Sequence, residues 1–166
     1  LHLVPHLTQQ GLSRRSAVSV ISILFASGAA GTLALGFLAE RLSPRPIMGF
    51  VALLSAASMG VLAVADNLAE AYLFAVFQGV AANGIGALAP ILWASYYGRR
   101  SLGAVHGLSR TALVIGFALG ALVSGIIYDA RGSYQDAFVL FGLVSVVSSL
   151  LIFIARRPAR PVGNPT

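Results

Sequence analysis

The sequence predicts an all-α protein, a polytopic transmembrane helix bundle, on three observations. Only 10% of the 166 residues are charged and 57% are hydrophobic, whereas a soluble domain has about 25% charged residues to cover its surface. Five stretches, residues 16–39, 46–65, 71–98, 101–128 and 137–155, hold no formal charge except Arg110. Each matches the roughly 18 to 20 apolar residues that cross a ~30 Å hydrocarbon core at ~1.5 Å rise per residue. The charges that a soluble amphipathic bundle would place every second turn are missing from all five.

The elements follow in order. The opening LHLVPHLTQQG reads as the end of a helix that begins upstream. It lacks an initiator methionine, a basic n-region and the apolar core of a signal peptide. The expectation is therefore a piece of a longer protein, with five full spans plus the end of a sixth. The first span carries Ser27, Gly28, Gly31 and Gly36, and ends at ERLSPRP, whose two prolines stop and start helices. The second and fifth spans are mainly aliphatic with scattered serines, as lipid-facing helices would be. DNLAE links the second span to the third, which holds Gly79, Gly84 and Gly86. GRRSLG leads to the fourth, with Gly107, Gly116, Gly120 and Ser124, and DARGSYQD leads to the fifth. Gly116, Gly120 and Ser124 are spaced four apart, a pattern that lets helix backbones approach closely, so the first, third and fourth spans are expected to form the packed interior. Residues 156–166 are basic and proline-rich and are expected to be a disordered tail.

The net charge of +6 comes from 11 arginines and no lysine. Alternate connections lie on opposite sides of a bilayer. Arg41, Arg45, Arg99, Arg100, Arg156, Arg157 and Arg160 share one side; Arg14, Arg15 and Arg131 share the other. The richer side is expected to be cytoplasmic, with the C-terminus. Arginines confined to the gaps between apolar runs are explained by orientation in a lipid bilayer, so no nucleic-acid partner is expected. Cysteine is absent, which removes disulfides and thiolate metal sites.

Arg110 raises the functional question. At ~100° per residue its half of the wheel holds Gly103, His106, Gly107, Gly120, Ala121 and Ser124 among Leu113, Val114 and Phe117, while Leu108, Ile115, Leu119, Leu122 and Ile126 lie opposite. An arginine within a span usually faces a bundle interior or aqueous path, although a snorkelling side chain near the span's end is the plainer account. A guanidinium there offers two parallel N–H donors to a carboxylate, which points to an anionic small-molecule substrate. The third span groups Gly79, Asn83, Gly86, Pro90, Trp93 and Tyr97 in one arc with Gln78 at its border. Asn83, Gln78 and Trp93 are candidate substrate contacts. Helix-to-helix hydrogen bonds account equally well for the two amides, and an interfacial aromatic belt for Trp93. His106 reads as a residue of the cavity mouth. His2 and His6 have Pro5 between them and no acidic partner, so no metal site is expected. The five acidic residues all sit at span ends and assemble no catalytic set, and NGIGAL and GRRSLG fall short of nucleotide-binding loops. Neither an enzyme nor a cofactor is expected.

The run Gly36-Phe37-Leu38-Ala39-Glu40-Arg41-Leu42-Ser43-Pro44-Arg45 resembles the G-x-L-x-D-R-x-G-R-R/K loop of the major facilitator superfamily, in the copy between helices 8 and 9. Glu40 replaces the aspartate, and Ser43 and Pro44 replace the later glycine and first basic residue. HLVPHLTQQGLS, YYGRRSLGAVHGL and YDARGSYQDAF are similar to runs of the monocarboxylate and oxalate/formate antiporter branch. The resemblance implies that residues 1–155 are a partial C-terminal half-bundle, the end of helix 7 through helix 12 of a twelve-helix secondary transporter. Its N-terminal half would lie upstream, and the loop of Gly36, Glu40, Arg41 and Arg45 would help hold one state of the transport cycle. It also implies that helices 7, 8, 10 and 11 line the central cavity, with Arg110 on helix 11. The expected function is alternating-access transport of a small organic anion, a monocarboxylate or dicarboxylate, by proton symport or anion exchange in the bacterial inner (cytoplasmic) membrane. The alternatives are an efflux carrier for a neutral or drug-like solute and a membrane assembly subunit.

Overall fold

The computed structural model describes residues 7–8, 11, 13–98 and 101–155. The basic tail, the His2 and His6 pair, and Arg99 and Arg100 lie outside the described residues. Five helices follow one another: α1 (Arg14–Arg41), α2 (Pro44–Val64), α3 (Leu68–Tyr97), α4 (Leu102–Arg131) and α5 (Gln135–Ile154). All five are long and apolar enough to cross a membrane. Helices are what such a sequence must form, because hydrocarbon supplies no partner for a backbone N–H or C=O and a helix satisfies both internally.

The ends are set by local chemistry. Ser13 Oγ accepts from Ser16 N at 3.1 Å and starts α1. Pro44 begins α2, where its missing N–H costs nothing. Asn67 Oδ1 accepts from Glu70 N (3.0 Å) while Glu70 Oε2 accepts from Asp66 N (2.7 Å), a reciprocal cap on α3. Gly132 closes α4 at φ 69°, the left-handed conformation that glycine adopts without a Cβ penalty. Arg14, Arg15, Arg41 and Arg131 lie inside helices rather than in the connections. Arginine is a good helix former and its long stem carries the charge outward, so a helix runs past the point where its apolar stretch stops.

The closest approach in the bundle is between α1 and α3. A Cβ added at Gly79 would overlap Ser27 Oγ and Leu24 O, and one at Gly28 would overlap Asn83 Nδ2. One at Gly31 would come within 2.9 Å of Val80 Cα. Small residues thus let two backbones touch, which is how helices gain dispersion energy in a medium with no hydrophobic drive between them. Ser19 Oγ with Tyr72 OH (2.9 Å) and Ser27 Oγ to Ala75 O (3.1 Å) add polar links along the same seam.

The layering departs from the expected pattern at two places. α2 packs on both α3 and α5 and is among the most buried helices, while α4 is the least buried and makes thin contacts with α3 and α5. Serines of the aliphatic helices are inside. Ser58 is fully buried against α3, and Ser149 Oγ donates across the α2–α5 seam to Gly49 O at 2.8 Å. Leu88, on the large apolar face of α3, is fully buried with Ile47, Val51 and Ala81. The reason is physical: a leucine is as well solvated by lipid as by protein, so side-chain size alone does not say which face of a membrane helix is covered.

Gly79→Ala is expected to lower stability by about 1–3 kcal/mol, since Leu24 O is backbone and cannot move aside. Gly60→Ala, where a Cβ meets nothing within 4 Å, is expected to be neutral or slightly stabilising. Thermal unfolding of the two variants of the full-length protein in nanodiscs distinguishes them.

Candidate functional site

Because α4 stands off its neighbours, a cavity of about 720 Å³ opens between it and the rest of the bundle. Its α4 wall is Gly116, Phe117, Gly120, Ala121 and Ser124. Opposite stand residues of all four other helices, among them Met59, Phe74, Gln78 and Phe141. The small-residue stripe therefore opens on space in this structure. A Cβ at Gly116 meets nothing within 4 Å, and at Gly120 it meets only Phe141 Cζ at 3.9 Å.

Of the residues singled out in the sequence, Gln78 alone among the candidate substrate contacts lines this cavity. Its amide oxygen is held by α2: Ser55 Oγ donates to Oε1 at 3.2 Å, and Ser58 Oγ lies 2.6 Å from it. Asn83 sits at the α1–α3 crossing, beside Gly28, and donates from Nδ2 to Gly79 O at 3.2 Å. Both amides are engaged with helices. Trp93 stands edge-on to His106, with ring centroids 5.8 Å apart and planes at 64°, and ties the start of α4 to the end of α3.

Arg110 is one turn further along α4 than His106. It is exposed, and no hydrogen bond or ion pair joins it to another described residue. On the wheel it lies at one edge of the α4 cavity wall: at ~100° per residue, Phe117, Ala121 and Ser124 fall within ~40° of it, Gly120 at ~80° and Gly116 at ~120°. Arg110 itself does not line the cavity; wheel geometry puts it one turn beyond His106 on the side of α4 that carries Phe117 and Ala121, while Asn83 sits at the α1–α3 crossing.

His106 carries a signal that the sequence reading passed over. Its Nδ1 is buried without a hydrogen-bond partner among the described residues, where most buried polar atoms are paired. The spacing of four from Arg110 was the available clue, since it puts two nitrogen-bearing side chains on one helix face.

The residues of the expected loop motif lie on helices, Gly36, Glu40 and Arg41 in α1 and Arg45 in the first turn of α2, with only Leu42 and Ser43 between the two helices. Arg41 stacks its guanidinium 4.4 Å above the Phe37 ring, and Glu40 is exposed. Gly36 has open space around it. Arg45 reaches across to α5, where Nε donates to Ile152 O at 2.9 Å and Nη2 donates to Phe153 O. These are carbonyls at the end of α5 that no helical N–H can satisfy, at the negative pole of its dipole. Packing of Phe153 on Phe50, at 5.6 Å between centroids, closes the same corner.

The profile of the Major Facilitator Superfamily matches residues 3–166. Monocarboxylate transporter 12-B of Danio rerio is 23% identical over 157 residues, covering 92% of this chain and 33% of the relative. Monocarboxylate transporter 13 of Rattus norvegicus is 28% identical over 155 residues, covering 90% of this chain and 35% of the relative. The uncharacterized MFS-type transporter YybF of Bacillus subtilis (strain 168) is 27% identical over 144 residues, covering 87% and 35%. The chain spans about a third of the length of these curated relatives.

Arg45→Met keeps the apolar stem but strips the α5 carbonyls of their donor. The expected cost is about 1–2 kcal/mol, with faster amide exchange confined to the last turn of α5, read by hydrogen-exchange mass spectrometry. Unchanged exchange there would show that water serves those carbonyls equally well.

Proposed function

The chain belongs to the Major Facilitator Superfamily, and from that premise we propose that it is the C-terminal half-bundle of a secondary active transporter for a small organic anion. Residues 1–155 supply the membrane-spanning unit and residues 156–166 a basic tail on the cytoplasmic side. The partner is an N-terminal half of the same protein. The two halves rock about a site near the bilayer midplane, opening it to one side and then the other. Five membrane-length apolar helices and the family together make this an integral membrane protein. The arginine distribution supports a cytoplasmic C-terminus, and a bacterial relative supports the bacterial inner membrane as its location.

The single observation that carries the anionic substrate is Arg110. A guanidinium within a span is costly in lipid and needs water, protein or a counter-ion. No acidic residue pairs with it among the described residues, so the anion that completes it is a passing carboxylate, held by two parallel N–H···O bonds. Trp93 walls the site beside His106, and Gln78 borders the adjoining cavity. Proton symport or anion exchange returns the site to its starting state. At the α1–α2 junction, Arg45 is engaged with α5, which leaves Glu40 and Arg41 at the end of α1 as the charges that meet the other half of the carrier.

Arg110→Gln in the full-length protein is expected to cut monocarboxylate uptake into proteoliposomes at least tenfold, because a charge-assisted hydrogen bond to a carboxylate is worth about 1.5–3 kcal/mol. Arg110→Lys keeps the charge but loses the fork, and is expected to fall between the two. Unchanged uptake in Arg110→Gln removes the anion from the proposal.

A further inference from the structure

We propose that the substrate is amphiphilic: its carboxylate sits at Arg110 and an apolar body roughly 10 Å long, about seven residues of helix rise, extends into the cavity between α4 and the rest of the bundle. This rests on the carboxylate reading of Arg110 and adds the chemical class of everything else in the molecule.

Three features of the cavity carry it. First, the charge lies along one edge of the face of α4 that walls the cavity. Phe117 lies two turns from Arg110 and ~20° from it around α4, so the two mark the ends of a single track along the helix. Second, the hydroxyls in the cavity wall are already engaged, and among its polar side chains only the Gln78 Nε2 donor has no hydrogen-bond partner among the described residues. Ser124 Oγ donates to Ala121 O at 3.0 Å, and Ser145 Oγ donates to Phe141 O at 2.9 Å. Ser55 Oγ donates to the Gln78 amide oxygen at 3.2 Å, and Ser58 lies 2.6 Å from the same atom. The hydroxyl donors are turned back into the protein, and the surface offered to a ligand is that of Met59, Phe74, Phe117 and Phe141. A polyhydroxylated or multiply charged body would lose its water there for the single free donor of Gln78.

Third, the size is wrong for a very small acid. About 720 Å³ falls within the range that takes a ligand of drug-like size, roughly 300–1,000 Å³. A two- or three-carbon acid bound at Arg110 would leave it empty. The glycines on the α4 side keep it open, and a Cβ at Gly116 meets nothing within 4 Å.

The test is a homologous series of straight-chain monocarboxylates, acetate to octanoate, measured as half-saturation of uptake by the full-length protein in proteoliposomes, with Arg110→Gln as the baseline for passive entry. Affinity is expected to rise about three- to fourfold per methylene as the chain enters the cavity, the value of burying one methylene at about 0.8 kcal/mol. Gly116→Leu, which puts a side chain into the cavity, is expected to lower the ratio of octanoate to acetate affinity at least tenfold. A flat series that Arg110→Gln still abolishes would overturn the apolar body while leaving the carboxylate site intact. A rising series that Gly116→Leu does not alter would overturn its placement in this cavity. Uptake unaffected by Arg110→Gln would overturn the carboxylate site, and this inference with it.

Discussion

Hydrocarbon offers no hydrogen bonds, and nearly every polar group in the described bundle is arranged around that constraint. Ser27, Ser58, Ser95, Ser124 and Ser145 donate to carbonyls three or four residues back on their own helices. Ser149 donates across to Gly49, and Gln78 is taken up by two serines of α2. Arg45 serves carbonyls at the end of α5. Against that background Arg110 and the buried nitrogen of His106 stand apart, one turn from each other on the same face of α4. Under the proposed carboxylate site, both exceptions belong to one ligand.

The same constraint shapes the packing. With no hydrophobic force to bring helices together inside a bilayer, contact depends on how close two backbones can come. At Gly79 and Gly31 they come close enough that a Cβ would meet backbone, at Leu24 O and Val80 Cα. α1 and α3 are thereby joined along a seam of small residues, and α2 and α5 complete a second seam at Gly49, Ser149 and Phe153. α4 lacks an equivalent seam, and the space beside it is the cavity. α4, which bears Arg110, is the most loosely seated of the described helices.

Much of the architecture was legible in the sequence because length and absence of charge are enough to mark a membrane helix. Which helices pack inside was not. Glycines on α4 suggested a tight crossing there, yet glycine only permits approach, and a neighbouring backbone must also be present. The aliphatic spans looked lipid-facing, but α2 lies between α3 and α5, and a buried leucine such as Leu88 is indistinguishable in sequence from one facing lipid. For the site, Arg110 could be picked out because one charge in a long apolar run is conspicuous. The reach of Arg45 to α5 spans 107 residues of sequence and had no local signature. His106 was visible only as a spacing.

All of this turns on whether the environment of residue 110 is aqueous. With a single cysteine at position 110 of the full-length protein, in a background otherwise free of cysteine, a charged membrane-impermeant thiol reagent reports it directly. The account predicts rapid labelling at 110 and none at 115 or 122, which lie on the opposite face of α4. Equal protection of all three positions would place Arg110 in lipid and contradict it.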